Sequence, residues 1–523
     1  MVSGVSVSRR STWMSVVTAT SRIIGFARVL VVTAILGTTY LANTYIGANS
    51  LSNVAFELLA AGALSAVLVP TFAKLLRTKD DTRLKVIVSE LAGFVVIALG
   101  IIAVVGVIFA PALGRTLAAS ASDHQTRVAQ SELGTFLIRW FAPQIVLYGI
   151  GAIATAVLHA RRRFAFSAAA PIASTVVMVA ALVGYSYVSD SNDILLTTSS
   201  AKAWLAFAGT GGVIGFVGVL WLAAGMSGSW IVPRWPTRRN GLPELLRHAT
   251  WGVLLHSIAG VLLGVAIVIG NAVSGGVVAY QTAFVFFLAP YAILALPVAT
   301  AILPELSDSS DMRDEGAVAD GIAWAFKRTL ILVAPVSALV IALATPGVRG
   351  IAFGEIDRAG AALISSGLVA LAVGLVPYSV FLLFARAYYA FSDSRTPALA
   401  AICGAIAGAM AMMISTRGAQ GAGIVFRLGL SHSFGYLIGA SVLGVLLVRS
   451  GKLNLSDLKS TAVPVVAATA LGIVAWYSYR SVSPHGRAMT LVSVVCIGLG
   501  LVSAYGAVVL RHNRAGRPLP SNG

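Results

Sequence analysis

Charge is scarce in this chain. Only 11% of its 523 residues are Asp, Glu, Lys or Arg, whereas soluble domains carry about 25%. That deficit excludes an ordinary water-soluble globule. Acids are scarcer still, 19 against 37 bases. There are two cysteines, Cys403 and Cys496. Both fall in apolar stretches, so neither a disulfide framework nor a metal-binding spacing exists. The chain holds no Gly-x-x-x-x-Gly-Lys, no His-Glu-x-x-His and no paired Cys ligands. An enzyme is therefore not expected, and no cofactor or metal is called for.

Apolar length is what the chain has in abundance. Hydrophobic residues make up 58% of it, and the mean hydropathy is +0.88. About fourteen segments reach the roughly 20 residues needed to cross a bilayer. They lie near 13–37, 42–73, 87–111, 134–159, 166–188, 203–226, 246–272, 277–304, 319–345, 360–389, 396–415, 421–448, 460–480 and 487–511. The expectation is an all-α polytopic membrane protein. The net charge of +18 would suggest nucleic acid in a soluble protein. Here the bases are strung along short loops, which is membrane topology rather than a nucleic-acid face. The start, Met1 to Arg10, is short and basic, with no small-residue cleavage site after it, so a removed signal peptide is not expected.

The loops assign the sides. Those after even-numbered spans carry Lys74, Arg77, Lys79, Arg83 and Lys85, then Arg161, Arg162 and Arg163, then Arg234, Arg238 and Arg239, and later Lys452 and Lys459. Odd-numbered loops are poorer in bases. Basic loops stay in the cytoplasm, so both termini are expected there. The stretch Glu305 to Asp320 is acidic (Asp308, Asp311, Asp314, Glu315) and reads as a solvated cytoplasmic turn.

A duplication is visible. Ala66-Val67-Leu68-Val69-Pro70 echoes Ala301-Ile302-Leu303-Pro304, and Ala165-Phe166-Ser167 with Pro171 echoes Ala390-Phe391-Ser392 with Pro397. These pairs share an offset of roughly 225–235 residues, as a duplicated unit requires. Spans 1–6 thus read as repeated in spans 7–12 in parallel orientation, with two helices appended. Parallel repeats of this kind build two-lobed transporters around a central cavity. The expected organisation is a lobe over 1–226, a cytoplasmic linker over 227–245, a second lobe over 246–450, and two further helices and a tail over 451–523. The linker is rich in Trp, Pro and Arg, which suits a membrane surface.

Charges inside spans are the candidate functional residues, because each costs several kcal/mol unless it faces water, a partner or a ligand. Arg22 and Arg28 stand in the first span, in Ser21-Arg22-Ile23-Ile24-Gly25-Phe26-Ala27-Arg28. On an ideal helix they are about 9 Å apart along the axis and point about 120° apart. Gly25 between them permits the distortion that would aim both into one cavity. Their forked donors match the paired oxygens of a phosphate or diphosphate. Glu57 in the second span pairs with an arginine, either as a releasable gate or as a structural ion pair. The polar start of that span, with Asn43 and Asn53, is expected to line the cavity. Arg386 and Arg427 lie near span ends, where snorkelling accounts for them as well as binding does. His256 reads more readily as a packed core residue than as a proton carrier.

With these residues in view, the chain resembles the MurJ/MviN family of bacterial lipid II flippases. Ser21 to Arg28 is similar to that family's first-span signature. Ala60-Ala61-Gly62-Ala63-Leu64-Ser65 with Val69-Pro70, Ile302-Leu303-Pro304-Glu305-Leu306-Ser307, and the stretch Tyr388 to Pro397 resemble further family motifs. The resemblance implies a cationic cavity that carries the undecaprenyl-diphosphate-linked peptidoglycan precursor, lipid II, from the inner to the outer leaflet of the bacterial plasma membrane by alternating access, for cell-wall synthesis. It implies Arg22 and Arg28 as the cavity arginines. The expected partners are the lipid-linked precursor, the bilayer itself and cell-wall synthesis enzymes. The chain departs from the pattern where the family's second-span arginine pair falls on Phe56 and Glu57, its Glu on Ala61, its Asp on Asn43 and its eighth-span Arg near Val285. Rival readings are a flippase or exporter of another polyprenyl-linked glycan or small molecule, and a non-transporting cell-wall scaffold. Two retained deep arginines favour transport, because a scaffold has no need of them.

Overall fold

The computed structural model describes residues 24–25, 27–56, 72, 76, 81–235, 250–311, 315–391, 393–453, 462–482 and 484–515. Side chains at 55–56, 250–259, 303–305, 307–311 and 509–515 lie outside that description. Arg22 and Glu57 lie outside it altogether. What is described is helical, as the long apolar runs require: in hydrocarbon every backbone N–H and C=O must be satisfied within the segment.

The helices, in chain order, are α1 (Ala27–Leu36), α2 (Tyr40–Phe56), α3 (Asp81–Ile108), α4 (Ala110–Ala118), α5 (His124–Phe141), α6 (Gln144–Ala160), α7 (Phe164–Val188) and α8 (Ser199–Met226). Then come α9 (Thr250–Gly270), α10 (Gly276–Pro290), a π-helical segment (Tyr291–Ala295), α11 (Leu296–Asp311), α12 (Glu315–Ile351), α13 (Arg358–Val373), α14 (Leu375–Ala390), α15 (Arg395–Ser415), α16 (Ala422–Arg449), α17 (Ala462–Val482) and α18 (Arg487–Ala515). Wherever the fourteen expected spans fall on described residues they are almost wholly helical; the first two lie partly outside the description. Among the described residues, ten helices are long and apolar enough to cross a bilayer, and α13 with α14 make an eleventh, bent by 47°.

Helix extends beyond the expected spans in two places. Within the acidic stretch after Glu305, α11 runs on to Asp311 and α12 starts at Glu315, and residues 312–314 lie outside the description. Ile302 and Leu306 are buried and press on Gly321, whose added Cβ would sit 3.1 Å from Leu306, so packing carries the helix on past the apolar run. The loop between the third and fourth spans is also helical, because α4 and the first half of α5 occupy it. Asp123 begins α5 by accepting a 2.8 Å bond from Thr126 N, which satisfies one of the four donors left free at a helix start.

Residues pack into two units, Met1–Val278 and Ala279–Gly523. In the first, one buried cluster joins Leu36, Tyr45, Leu137, Phe141, Leu182 and Leu205. A second joins Leu84, Leu91, Ile153, Val157, Leu220 and Ile231. The segment after α8 lies against α3: Arg234 N donates to Ser89 O at 2.9 Å, and Trp230 meets Trp221 edge-on at 4.8 Å. Arg161 fixes the same region, donating to Ser229 Oγ at 2.8 Å and pairing with Asp81 at 3.2 Å. In the second unit, α12, α17 and α18 close around Leu339, Leu343, Leu471 and Ala475.

The fourth span of the first unit is broken at Pro143, between α5 and α6. Its counterpart in the second unit is broken at Gly374, three residues before Pro377, between α13 and α14. Pro143 and Pro377 obey the same offset of roughly 225–235 residues as the sequence echoes. Proline removes a helix donor and frees carbonyls upstream. In the first unit those carbonyls find hydroxyls from other helices: Thr210 Oγ1 donates to Trp140 O at 2.9 Å, and Ser52 Oγ to Phe141 O at 3.0 Å. In the second, the break at Gly374 rather than Pro377 frees them, because Gly374 N donates to Leu371 O; Ser433 Oγ lies 2.9 Å from Ala370 O, and Ser337 Oγ donates to Ala372 O at 2.6 Å.

Candidate functional site

The first unit holds the deep cation. Arg28 is half-buried on α1, close enough to the Tyr45 phenol on α2 for its charge to act there, and Tyr148 acts on the same phenol. Tyr45 is only 2% exposed, and its ring stands edge-on to Phe141 at 5.9 Å. Its hydroxyl has no hydrogen-bond partner among the described residues, and neither has Asn49 Oδ1. Most buried polar atoms in folded proteins are hydrogen-bonded, so these two stand out. Tyr45, Asn49 and Asn53 recur every fourth residue, so they form one stripe along α2. Asn53 is half-buried. Glu57 is the next position of the same series and lies outside the described residues. Gly25 is helical, and a Cβ added there would meet nothing within 4 Å.

Asn43 is placed differently. It is fully buried; its Nδ2 donates to Val273 O at 2.9 Å, and its Oδ1 accepts from Val277 N at 3.0 Å and Val278 N at 3.3 Å. It ties the turn after α9 to α2 and caps the first turn of α10. Its polar atoms are engaged in holding that turn, so it leaves the set of cargo ligands. Gln130 and Asn271 extend this polar knot: Gln130 Nε2 donates to Asn271 Oδ1 at 3.0 Å, and Asn271 Nδ2 to Leu117 O at 2.7 Å. The turn also needs Gly275, whose φ is +74° and whose added Cβ would lie 2.4 Å from Thr38.

Two of the remaining sequence candidates, Arg386 and Arg427, belong to the second unit. Arg386 on α14 donates to Leu296 O at 3.3 Å, at the end of the π-helical segment, and its charge reaches Tyr291 and Tyr389. It shares that carbonyl with the Thr300 hydroxyl, which donates to it at 2.8 Å. Arg427 donates from Nη1 to Ser415 O and Arg417 O. A cation on the last carbonyls of α15 is a helix-end contact. His256 lies on α9, with its side chain outside the description.

Sequence reasoning passed over Tyr45 and His432. The signal for Tyr45 was the four-residue spacing that leads through Asn49 and Asn53 to Glu57. His432 is buried, with its Nδ1 hydrogen-bonded to Tyr280 Oη and its ring among Phe284 and Tyr436. A lone histidine inside an apolar span gave no pattern to read. Two apolar grooves also open on the second unit. One of about 680 Å³ runs past Ala338, Val376, Gly472 and Trp476. Another of about 590 Å³ runs past Phe326, Phe384, Gly444 and Arg449. Walls of this kind take hydrocarbon rather than a polar solute.

Comparison with known proteins places this geometry. A family model described as lipid II flippase MurJ matches residues 32–496. The chain is 25% identical to the lipid II flippase MurJ of Burkholderia cenocepacia, over 74% of this chain and 73% of that protein. It is 24% identical to the probable lipid II flippase MurJ of Rhizobium tropici, over 92% and 89%. Its fold is similar to a solved structure of lipid II flippase MurJ in an inward closed conformation, with a TM-score of 0.74 at 18% identity over 96% of this chain and 99% of that one. It is also similar to an inward-facing multidrug resistance MATE family transporter of the MOP superfamily, with a TM-score of 0.62 at 15% identity over 84% and 96%.

Proposed function

This chain belongs to the lipid II flippase MurJ family, and from that premise we propose that it moves lipid II, the undecaprenyl-diphosphate-linked peptidoglycan precursor, from the inner to the outer leaflet of the plasma membrane. The observation that carries the reading is Arg28, a half-buried guanidinium on an apolar helix, whose charge reaches a buried tyrosine hydroxyl with no partner among the described residues. Such a charge is retained in a span where something negative visits it. A diphosphate offers paired oxygens to the guanidinium fork, and the Tyr45 hydroxyl is a further donor. Arg22 completes the clamp, and Glu57 holds an arginine while no cargo is present. Gly25 lets the first span bend as the clamp closes. Both termini face the cytoplasm, where basic loops are retained, and cell-wall synthesis enzymes receive the product at the outer face.

The test is depletion of the protein in its native host, with lipid II quantified on each leaflet. Inner-leaflet accumulation with loss of the outer-leaflet signal is expected. Arg28→Ala, expressed at wild-type level, is expected to lower flipping by roughly ten- to a hundredfold, the value of a charge-assisted bond to an ionised group. Arg28→Lys keeps the charge without the fork and falls between. Unchanged lipid II in both leaflets after depletion would shift the reading to another polyprenyl-linked cargo.

A further inference from the structure

The two broken spans are alike in construction and unlike in shape. In the first unit α5 and α6 run on as one 37-residue span, His124–Ala160. In the second, the matching pair α13 and α14 are bent by 47°. The difference follows from what holds each break. Thr210 Oγ1 donates to Trp140 O on one side of Pro143 and accepts from Gln144 Nε2 on the other, at 3.2 Å. It therefore clamps both halves in line. Ser433 Oγ serves one side alone, 2.9 Å from Ala370 O and 3.4 Å from Leu371 O, with Gly429 O of its own helix at 3.0 Å. Gly374 N, which a straight helix would give to Ala370 O, instead donates to Leu371 O at 2.8 Å. A Cβ on Gly374 would fall 2.4 Å from Ser433 Oγ and 2.8 Å from its Cα, so glycine is what lets the bent strand of backbone approach α16.

We propose that the fourth span of each unit is a hinge with two settings, in line and bent, and that Thr210 and Ser433 are the positioning residues that choose between them. The Ser433 hydroxyl makes bending possible inside hydrocarbon, where an unsatisfied carbonyl is otherwise prohibitive, and the Thr210 hydroxyl holds the first span in line. Each donates to the freed carbonyl in one setting and releases it to the backbone in the other. Ser433 has three carbonyls within reach for one proton, so its bond can pass between them as the angle changes. The consequence for transport, that each unit reshapes its own interior rather than moving as a rigid block, rests on the flippase reading. The hinge itself does not.

Spin-label distance measurements on the full chain in nanodiscs test it, with Cys403 and Cys496 replaced by Ser. Arg358→Cys with Tyr389→Cys brackets the second hinge, and Gln125→Cys with Arg162→Cys the first. The second span has a contour of about 48 Å, and straightening it lengthens the end-to-end distance by about 4 Å. Two populations separated by that amount are expected. Ser433→Ala is expected to shift the second hinge toward the straight setting by roughly threefold to fifteenfold, the value of one interhelical hydrogen bond in a membrane. Ser433→Thr restores the ratio. Thr210→Val shifts the first hinge the other way, toward bending. Melting temperatures recorded alongside separate a change of setting from a loss of fold. A single narrow distance at each hinge, unmoved by Ser433→Ala and Thr210→Val, overturns the proposal. Undecaprenyl diphosphate is then added. If two settings exist and ignore it, the hinge stands and the cargo assignment falls.

Discussion

Replacing Asn43 by Ala should unfold the first unit's outer knot rather than abolish cargo binding alone. Asn43 is fully buried and makes three hydrogen bonds that alanine cannot. Loss of the two bonds from Val277 N and Val278 N is loss of a helix cap, about 0.5–2 kcal/mol. Val273 O keeps Gly276 N as a donor at 3.0 Å, so losing the Asn43 bond to it adds about 0.5–1.5 kcal/mol. The total is about 1–3.5 kcal/mol, which for a unit of this size lowers the melting temperature by about 2–14 °C. Thermal unfolding of purified protein in detergent, followed by tryptophan fluorescence, reads the shift. Asn43→Asp is the informative companion. It keeps an oxygen for the two amides but loses the donor and sets a carboxylate against Val273 O, so it should melt between the wild type and Asn43→Ala. Arg28→Ala, measured in parallel, should melt as the wild type does. If Asn43→Ala melts within 1 °C of the wild type by the same relation, the argument that this side chain is structural fails, and its place among the cargo ligands is reopened.

Gly93 faces the segment that follows α8, and a Cβ there would lie 1.7 Å from Arg234 O. Gly93→Ala should therefore detach residues 227–235 from α3 and expose them to limited proteolysis; an unchanged digestion pattern would show that the segment is not held at this point. Asp123 is held below the ordinary carboxylate range, first by its bond from the Thr126 backbone N–H and then by the Thr126 hydroxyl. Its capping contribution is complete above the unfolded value of about 3.9 and is lost as pH falls through its lower folded value. Amide exchange in the first turn of α5 should accelerate on acidification in the wild type and show no such step in Asp123→Asn; equal pH profiles would remove the carboxylate from the account.

The sequence alone determined the architecture, because the bilayer leaves so few choices. Apolar runs of spanning length become helices, since a single segment satisfies its own backbone in hydrocarbon only that way, and among the described residues ten of them, with an eleventh bent pair, did so. The duplication was legible because both copies keep Pro where a span ends or breaks. Arg28 was legible for the converse reason: a charge in an apolar run stands out in any one-dimensional reading. Packing decided the rest. Asn43, Asn53 and Asn49 are alike on paper, yet Asn43 meets the start of a helix more than 200 residues away while Asn49 Oδ1 meets no partner among the described residues. The acidic stretch stayed helical as far as Asp311 because Ile302 and Leu306 found Gly321. Arg386 and Arg427, promising as charges, were claimed by carbonyls at a π segment and a helix end. A polar side chain's role is set by which backbone groups the fold leaves unsatisfied beside it, and that depends on contacts between helices far apart in the chain.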